Sequence, residues 1–461
     1  MISQEVCATV LAAARSTGAD FAELYMEDVR SNSVTVTGGE VEDATSSHRH
    51  GAGVRVFAGV KTAYAYTADT SLDSLVATAK AAAAAVRSDS TAASLPFAVT
   101  DYRVEPRIPF QTVSGEQRVK LMLDAYRAAR GFSKEIVQAE GFILDSDGEI
   151  LVANSEGVFA RDRRYRMRMG LRAVASDGRS NQMGYYGPGF GMGFEGFERI
   201  DAEELGRKAA ESAVKILHAP ECPAGEFPVI MDGGFGGVIF HEACGHSLEA
   251  TSVSRGNSEF CGKLGQKVAD ERVTAIDDGT LAGEWGSLHM DDEGTPTRRN
   301  ILIENGILKG YLVDKLGGRR MDMEPTGSSR RQDYRYAPTS RMTNTFIAAG
   351  NDDEEEMIKS CPEGIWAHSM AGGSVNPLTG EFNFAVSEAY WVKNGEIITP
   401  VRGATLIGRG TQVISRIDRV GGTMTMAPGM CGSRSGSIPV NVGQPRIRVS
   451  RLTVGGKGGA L

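Results

Sequence analysis

The sequence predicts an α+β protein. Residues 1–220 read as helices on antiparallel sheet, and residues 221–461 as a mainly antiparallel β region carrying a short helical motif. Three observations predict this. The first half alternates helix-periodic stretches with hairpin signals. The second half is rich in glycine and in Asn-Gly turns between apolar alternations. Between them, HAPECPAGEFP (218–228) carries two turn prolines and a glycine, the best boundary in the chain. At roughly 150 residues per domain, 461 residues allow two or three domains.

The elements follow in order. A helix over about residues 3–16 places Val6, Val10 and Leu11 on one face. Strand-like stretches follow, turning at Gly38-Gly39, and GAGVRVFAG and KTAYAYTAD read as another strand pair. A second helix starts near Thr70, with Leu72, Leu75, Val76, Ala79, Ala83 and Val86 at helical spacing. Ser114-x-x-Gln117 is a capping box that opens a third, carrying Val119, Met122, Leu123 and Tyr126 on one face. Asp147-Gly148 and Asp177-Gly178 read as hairpin turns, and Asp201-x-x-Glu204 opens a helix ending near Leu217. The pattern helix–strands–helix–strands–helix implies an internal duplication. Beyond the boundary, Asn305-Gly306 and Asn394-Gly395 mark hairpins. One clear helix lies near 353–360, its acidic start at Asp352–Glu356 explained by capping and the helix dipole, and one or two helices are expected in all.

Composition narrows the function. Glycine is 57 of 461 residues, about 12% against a typical ~7%. The formal charge of −8 argues against a nucleic-acid partner. No apolar run approaches the ~18 residues that a membrane span needs, and the N-terminus reads as an amphipathic helix rather than a signal peptide. Six scattered cysteines without a CxxC predict reduced thiols and a cytoplasmic protein.

The sharpest motif is His241-Glu242-Ala243-Cys244-Gly245-His246, preceded by the glycine-rich run Asp232–Gly237. This HExxxH is one residue longer than the zinc signature HExxH. At 100° per residue, side chains five apart on a helix diverge by about 140°, so an unperturbed α-helix would splay the two imidazoles. The spacing therefore predicts a π-bulge or a helix break at Gly245. A buried zinc site needs at least one more ligand, and Cys244, Glu249 and the distant Cys431 are candidates.

The stretch His241–Glu249 resembles the active-site motif of the TldD/PmbA family of metalloproteases. The resemblance extends to MDDEGTP (290–296), ILIENGILKGYLVDKL (301–316), PTGSSRR (325–331), RMTNTF (341–346), SEAYWVKNGEI (387–397), VRGATLIG (401–408) and GQPRIRVSRLTVGG (443–456). GADFAELY (18–25) and GVRVFAGVKTAYAYT (53–67) are also family-like. The family contains PmbA-type (TldE) members that lack the histidine motif, so this chain looks TldD-type.

The resemblance implies that His241, His246 and Cys431 hold one zinc per chain and that Glu242 is the catalytic glutamate, with Cys244 a small apolar neighbour. Three protein ligands leave a position for water, whose pKa zinc lowers toward ~7, and Glu242 can take the water's proton and pass it to the leaving amine. The expected function is zinc-dependent hydrolysis of extended or unfolded peptides, held by strand addition at a sheet edge. The alternative is a non-hydrolytic, zinc-stabilised peptide-binding subunit. The resemblance also implies a homodimer or a heterodimer with a PmbA-type (TldE) homologue. Glu249 is expected to orient His246. His289 and Asp291–Glu293 are expected to line the cleft, and Arg330, Arg331, Arg341 and Asn344 to bind peptide backbone or a terminal carboxylate.

Overall fold

The computed structural model describes residues 1–87, 90, 93–376 and 379–458. Its N-terminal elements are α1 (Gln4–Ala14), β1 (Phe21–Thr37), β2 (Glu40–Ala58), β3 (Lys61–Thr67), α2 (Leu72–Ala84), β4 (Ala98–Asp101), α3 (Gly115–Phe132), β5 (Ile136–Asn154), β6 (Val158–Ser176), β7 (Asn181–Tyr186), β8 (Gly189–Phe190) and α4 (Ala202–Leu217). Local sequence explains the helices. Ser3, Ser71, Ser114 and Asp201 cap them with their side chains, and Ser114 and Gln117 form the reciprocal capping box. Cys7, Val10, Leu11 and Ala14 recur at helical spacing on the buried face of α1. Small residues dominate the other buried faces, such as Ala79, Ala82 and Ala83 of α2 and Ala209, Ala210 and Ala213 of α4, so these helices lie close on the sheet.

The strands form one eight-stranded sheet, ordered β3-β2-β1-β5-β6-β4, with β7 and β8 also paired to β6. A helix–strands–helix unit occurs twice, with three strands between α1 and α2 and four between α3 and α4, and the halves join where β1 runs antiparallel to β5. The expected duplication is thus visible in topology. The helix pairs cover one face of the sheet in two apolar clusters, one under α1 and α2, the other under α3 and α4.

One turn was misplaced. Asp147-Gly148 lies inside β5, paired in unbroken register with β1 on one side and β6 on the other. Asp147 is not a turn residue there: its carboxylate accepts from Arg163 Nε at 2.9 Å and Nη2 at 2.8 Å. The chain instead reverses at Ser155–Gly157, where Asn154 Oδ1 accepts from the amides of Glu156 (3.0 Å) and Val158 (3.1 Å). Gly178, Gly306 and Gly395 do occupy left-handed turn positions, as their dipeptides predicted.

The remaining strands are β9 (Gly225–Met231), β10 (Ala275–Asp278), β11 (Arg299–Glu304), β12 (Ile307–Leu308), β13 (Ser329–Arg330), β14 (Thr339–Ser340), β15 (Asn344–Ile347), β16 (Glu363–Val375), β17 (Glu381–Lys393), β18 (Glu396–Val401), β19 (Thr405–Arg409), β20 (Ile417–Val420), β21 (Thr425–Ser433), β22 (Gly436–Gln444) and β23 (Ile447–Gly455). They build a six-stranded sheet, β12-β11-β10-β15-β22-β21, and a seven-stranded sheet, β16-β9-β23-β19-β17-β18 with β20 on β23. Most pairs are antiparallel; β15–β22 and β9–β16 are parallel. The helical segment 238–248 packs against strands of both sheets within the largest apolar cluster. Short helices at 250–253, 315–321, 354–359 and 410–415 exceed the one or two expected. None exceeds seven residues, too few for a helical period to show in sequence. Among the described residues no helix is long and apolar enough to cross a membrane.

The open face of the N-terminal sheet meets the C-terminal region through buried charge. Arg55 pairs with Glu23 at 3.0 Å and also with Glu293. Arg331 Nη2 reaches Glu23 at 2.9 Å and the Asp292 carbonyl at 2.8 Å. Arg164 bridges Asp292 at 2.6 Å and Asp162 at 3.1 Å. Glu23, Arg55, Asp162, Asp292, Glu293 and Arg331 are all buried. Removing one member strands an opposite charge in low dielectric. Arg331→Ala is therefore expected to destabilise the chain by about 3–5 kcal/mol in denaturant unfolding. A loss under about 1 kcal/mol, the scale of a surface pair, would show that this seam is solvated.

Candidate metal centre

The glycine-rich run before the motif sets the position of the helix. A Cβ on Gly237 would stand 2.5 Å from the Gly443 carbonyl oxygen and 2.6 Å from its amide nitrogen, so only a glycine lets the backbone lie against β22 here. Val238, Ile239 and Phe240 then bury as the first turn. The helix does not continue as α. Residues His241–Gly245 form a π turn, in which the His246 amide donates to the His241 carbonyl, and His246–Leu248 tighten into a 3-10 turn. The expected distortion is present, and its effect is the one the geometry required: the two imidazoles face each other, with ring centroids 5.2 Å apart.

Cys431 completes the cluster from β21, 190 residues away in sequence. Its Sγ lies 3.3 Å from His241 Nε2 and 3.2 Å from His246 Nε2. All three donor atoms lie within 4.8 Å of one another. A tetrahedral zinc with ordinary bond lengths separates sulfur from nitrogen by about 3.5 Å, so the donor set fits that ion. The fit extends outward. His246 Nδ1 donates to Glu249 Oε1 at 3.0 Å, which turns Nε2 toward the sulfur and frees it for an ion once its proton is displaced. His241 Nδ1 is buried with no hydrogen-bond partner among the described residues, so the two histidines are held unequally. Cys244 is fully buried, and its thiol is pushed well up by that burial.

The electrostatics are those of a proton-competent ligand set. Burial pushes the Cys431 thiol up, but the charge of His241 and hydrogen bonds from His241 and His246 outweigh it and hold the group down at about 3. Burial pushes His246 down, but the Glu249 carboxylate and the Cys431 thiolate outweigh it and raise the imidazole well above its usual value. Glu242 stands beside the cluster, with one carboxylate oxygen 3.7 Å from His246 Nε2 and a side chain 29% exposed against 14% for His246.

The other expected site residues are engaged by protein groups. Arg330, Arg331 and Asn344 are buried and committed to protein partners. Arg330 donates to the Met342 carbonyl at 2.8 Å. Asn344 Nδ2 donates to the Asp278 carbonyl at 2.6 Å and its Oδ1 accepts from the Gly286 amide at 3.1 Å. The structure therefore brings none of the three to the cluster through the contacts they make. Arg341, also fully buried, supports the cluster from behind: it donates to the carbonyl of Cys431 and, at 3.0 Å, to that of Gly436, clamping the β21–β22 hairpin. Asp291 ties its own loop together, accepting from the amides of Glu293 and Thr295. His289 is half-exposed, bonded to Asp162 at 2.8 Å and stacked on Tyr102, on the wall of a cavity of about 510 Å³ between the two regions. Sequence reasoning missed Trp285, whose Nε1 donates to the Gly429 carbonyl at 2.9 Å, and Arg168, which holds the Pro428 carbonyl at 3.1 Å. With Arg341 these engage three backbone carbonyls of β21.

Sequence comparison agrees with the site. Residues 224–456 match the PmbA/TldA metallopeptidase C-terminal domain, residues 108–217 its central domain and residues 22–86 its domain 1. The chain belongs to the PmbA/TldA metallopeptidase family. It is 35% identical to a metalloprotease TldD homolog of Buchnera aphidicola, over 95% of this chain and 93% of the relative. It is 34% identical to the Haemophilus influenzae TldD homolog over the same shares. TldE from Thermococcus kodakarensis shares the fold, with a TM-score of 0.79 at 18% identity over 97% of this chain and 99% of that one. Two family segments, domain 1 and the central domain, correspond here to the two halves of a single sheet.

An ion takes the thiolate and the neutral imidazoles, and His246 is held well above its usual value, so ion and protons compete for the same atoms. Uptake of Zn²⁺ is expected to release protons, and affinity to fall as pH drops. Calorimetric titration in buffers of different ionisation enthalpy measures this directly. A heat independent of buffer would contradict the assignment.

Proposed function

We propose that this family member is a zinc-dependent peptidase acting on extended or unfolded peptides, with one zinc per chain held by His241, His246 and Cys431 and with Glu242 as general base. The observation that carries the proposal is the convergence of two imidazoles and a thiolate beside a solvent-reaching carboxylate. Bound there, zinc would supply Lewis acidity, making a water more acidic and a carbonyl more electrophilic. Glu242 takes the proton of the attacking water and delivers it to the departing amine nitrogen. Glu249 holds the His246 ring in place through Nδ1. Arg341 fixes the strand that bears Cys431.

The substrate class rests on access. His241 is 1% exposed and Cys431 3%, so a reacting bond must come close to a recessed cluster. A thin extended chain can do so; a bond inside a folded domain cannot. The six cysteines are free, which supports a reducing, cytoplasmic setting. Pairing with itself or with a PmbA-type (TldE) homologue belongs to the same proposal and is supported by the fold shared with TldE.

Elemental analysis and cleavage of an unstructured peptide test the reading together. Wild type is expected to hold one zinc per chain and to cleave. Cys431→Ser is expected to lose the zinc held by this cluster. Glu242→Gln is expected to keep metal and fold while losing about 10²–10⁴-fold in kcat. Zinc without cleavage, with or without a TldE-type partner, would overturn hydrolysis in favour of a peptide-binding subunit.

A further inference from the structure

The N-terminal sheet carries a second convergence of metal-ligating side chains. Asp28 on β1 faces His50 on β2 as a direct cross-strand pair, and His48 lies two residues along the same strand. In a strand, residues two apart share a face, so both imidazoles and the carboxylate lie on one side of the sheet. That side is the helix-covered one, since Ala52, Val54 and Val56 of β2 alternate in step with the two histidines and bury under α1 and α2.

The geometry is compact. His48 Nε2 lies 2.9 Å from Asp28 Oδ1, and His50 Nδ1 lies 3.0 Å from Asp28 Oδ2. One ligand atom from each residue lies within 4.8 Å of the others. Adjacent ligands of an octahedral first-row ion, with bonds of about 2.1 Å, stand about 3.0 Å apart. His50 has a partner on its far side: Nε2 contacts Thr70 Oγ1 at 2.9 Å. When Nε2 donates that bond, the free lone pair sits on Nδ1, the nitrogen that faces Asp28. The Thr70 hydroxyl can accept from Nε2, so the His50 ring keeps a hydrogen-bond partner when an ion takes Nδ1 in place of its proton to Asp28. The side chains are 53%, 32% and 36% exposed for His48, His50 and Asp28, so an ion reaches them from solvent. His48 also lies on the wall of a polar cavity of about 380 Å³, shared with Asn32, Gln111, Asp145 and Asp147, which admits water to complete a coordination shell.

We propose that Asp28, His48 and His50 form a second site for a divalent first-row transition ion, separate from the His241, His246 and Cys431 cluster. Two imidazoles and one carboxylate make a harder donor set than the thiolate centre. Three protein ligands leave the remaining positions to water. The ion ties β1 to β2 and, through Thr70, to the segment that leads into α2. This site does not depend on the peptidase reading.

Co²⁺ binding by the untagged full-length chain tests the proposal, because cobalt reports its ligands optically. Wild type is expected to take two ions per chain, one of them giving a thiolate-to-cobalt charge-transfer band. Asp28→Asn and His50→Gln are each expected to reduce this to one ion while keeping that band. Cys431→Ser is expected to do the reverse, losing the band and keeping one ion. Intact charge transfer in Asp28→Asn shows that the chain is folded, so a lost ion is not a folding defect. The proposal is overturned if Asp28→Asn and His50→Gln still take two ions, if wild type takes only the thiolate-bound one, or if Cys431→Ser takes none.

Discussion

The cluster of His241, His246 and Cys431 depends on one close approach of backbone to backbone, Gly237 against Gly443. A side chain at Gly237 would push the helical segment away from β22, and with it both histidines. Cys431 lies on β21, which is hydrogen-bonded to β22 throughout its length, so the hairpin and the helix start share one reference point. The π turn then makes the final adjustment, turning His246 back toward the thiol that His241 already faces. Placement by backbone contact is stiff, which suits ligands that must meet within a few tenths of an ångström.

A second constraint acts at the level of regions. The sheet that covers residues 21–190 turns one face to its helices and the other to the C-terminal region. That second face carries Glu23, Glu27 and Arg55, alternating with the apolar residues that bury under the helices. Arg55 and Glu23 find partners in Glu293 and Arg331, so charges 238 and 308 residues apart neutralise one another. Such a seam is directional. It accepts one relative placement of the two regions, whereas an apolar face would tolerate several.

This seam also accounts for Arg331, whose guanidinium is engaged by Glu23 and the Asp292 carbonyl. In a sequence, an arginine that satisfies a distant carboxylate looks the same as one that awaits a substrate carboxylate. Only the partner distinguishes them, and Glu23 lies 308 residues from Arg331. Asp147-Gly148 failed for a related reason. The dipeptide favours a turn, but pairing on both sides of β5 outweighs that preference, while the Asn154 side chain supplies the turn nearby.

The sequence by itself determined the elements whose cause is local. Helix caps at Ser114 and Asp201 were legible because cap and partner lie within a few residues. The need for a distorted turn between His241 and His246 was legible because helical rotation per residue is a constant. The family was legible because its motifs are contiguous. Tertiary structure decided whatever required two distant segments to meet. It brought Cys431 to the histidines, set Arg341 behind it, enclosed Arg331 among carboxylates and placed Asp28 opposite His50. Side-chain chemistry states what a residue can bind, but the fold alone settles which groups come within reach.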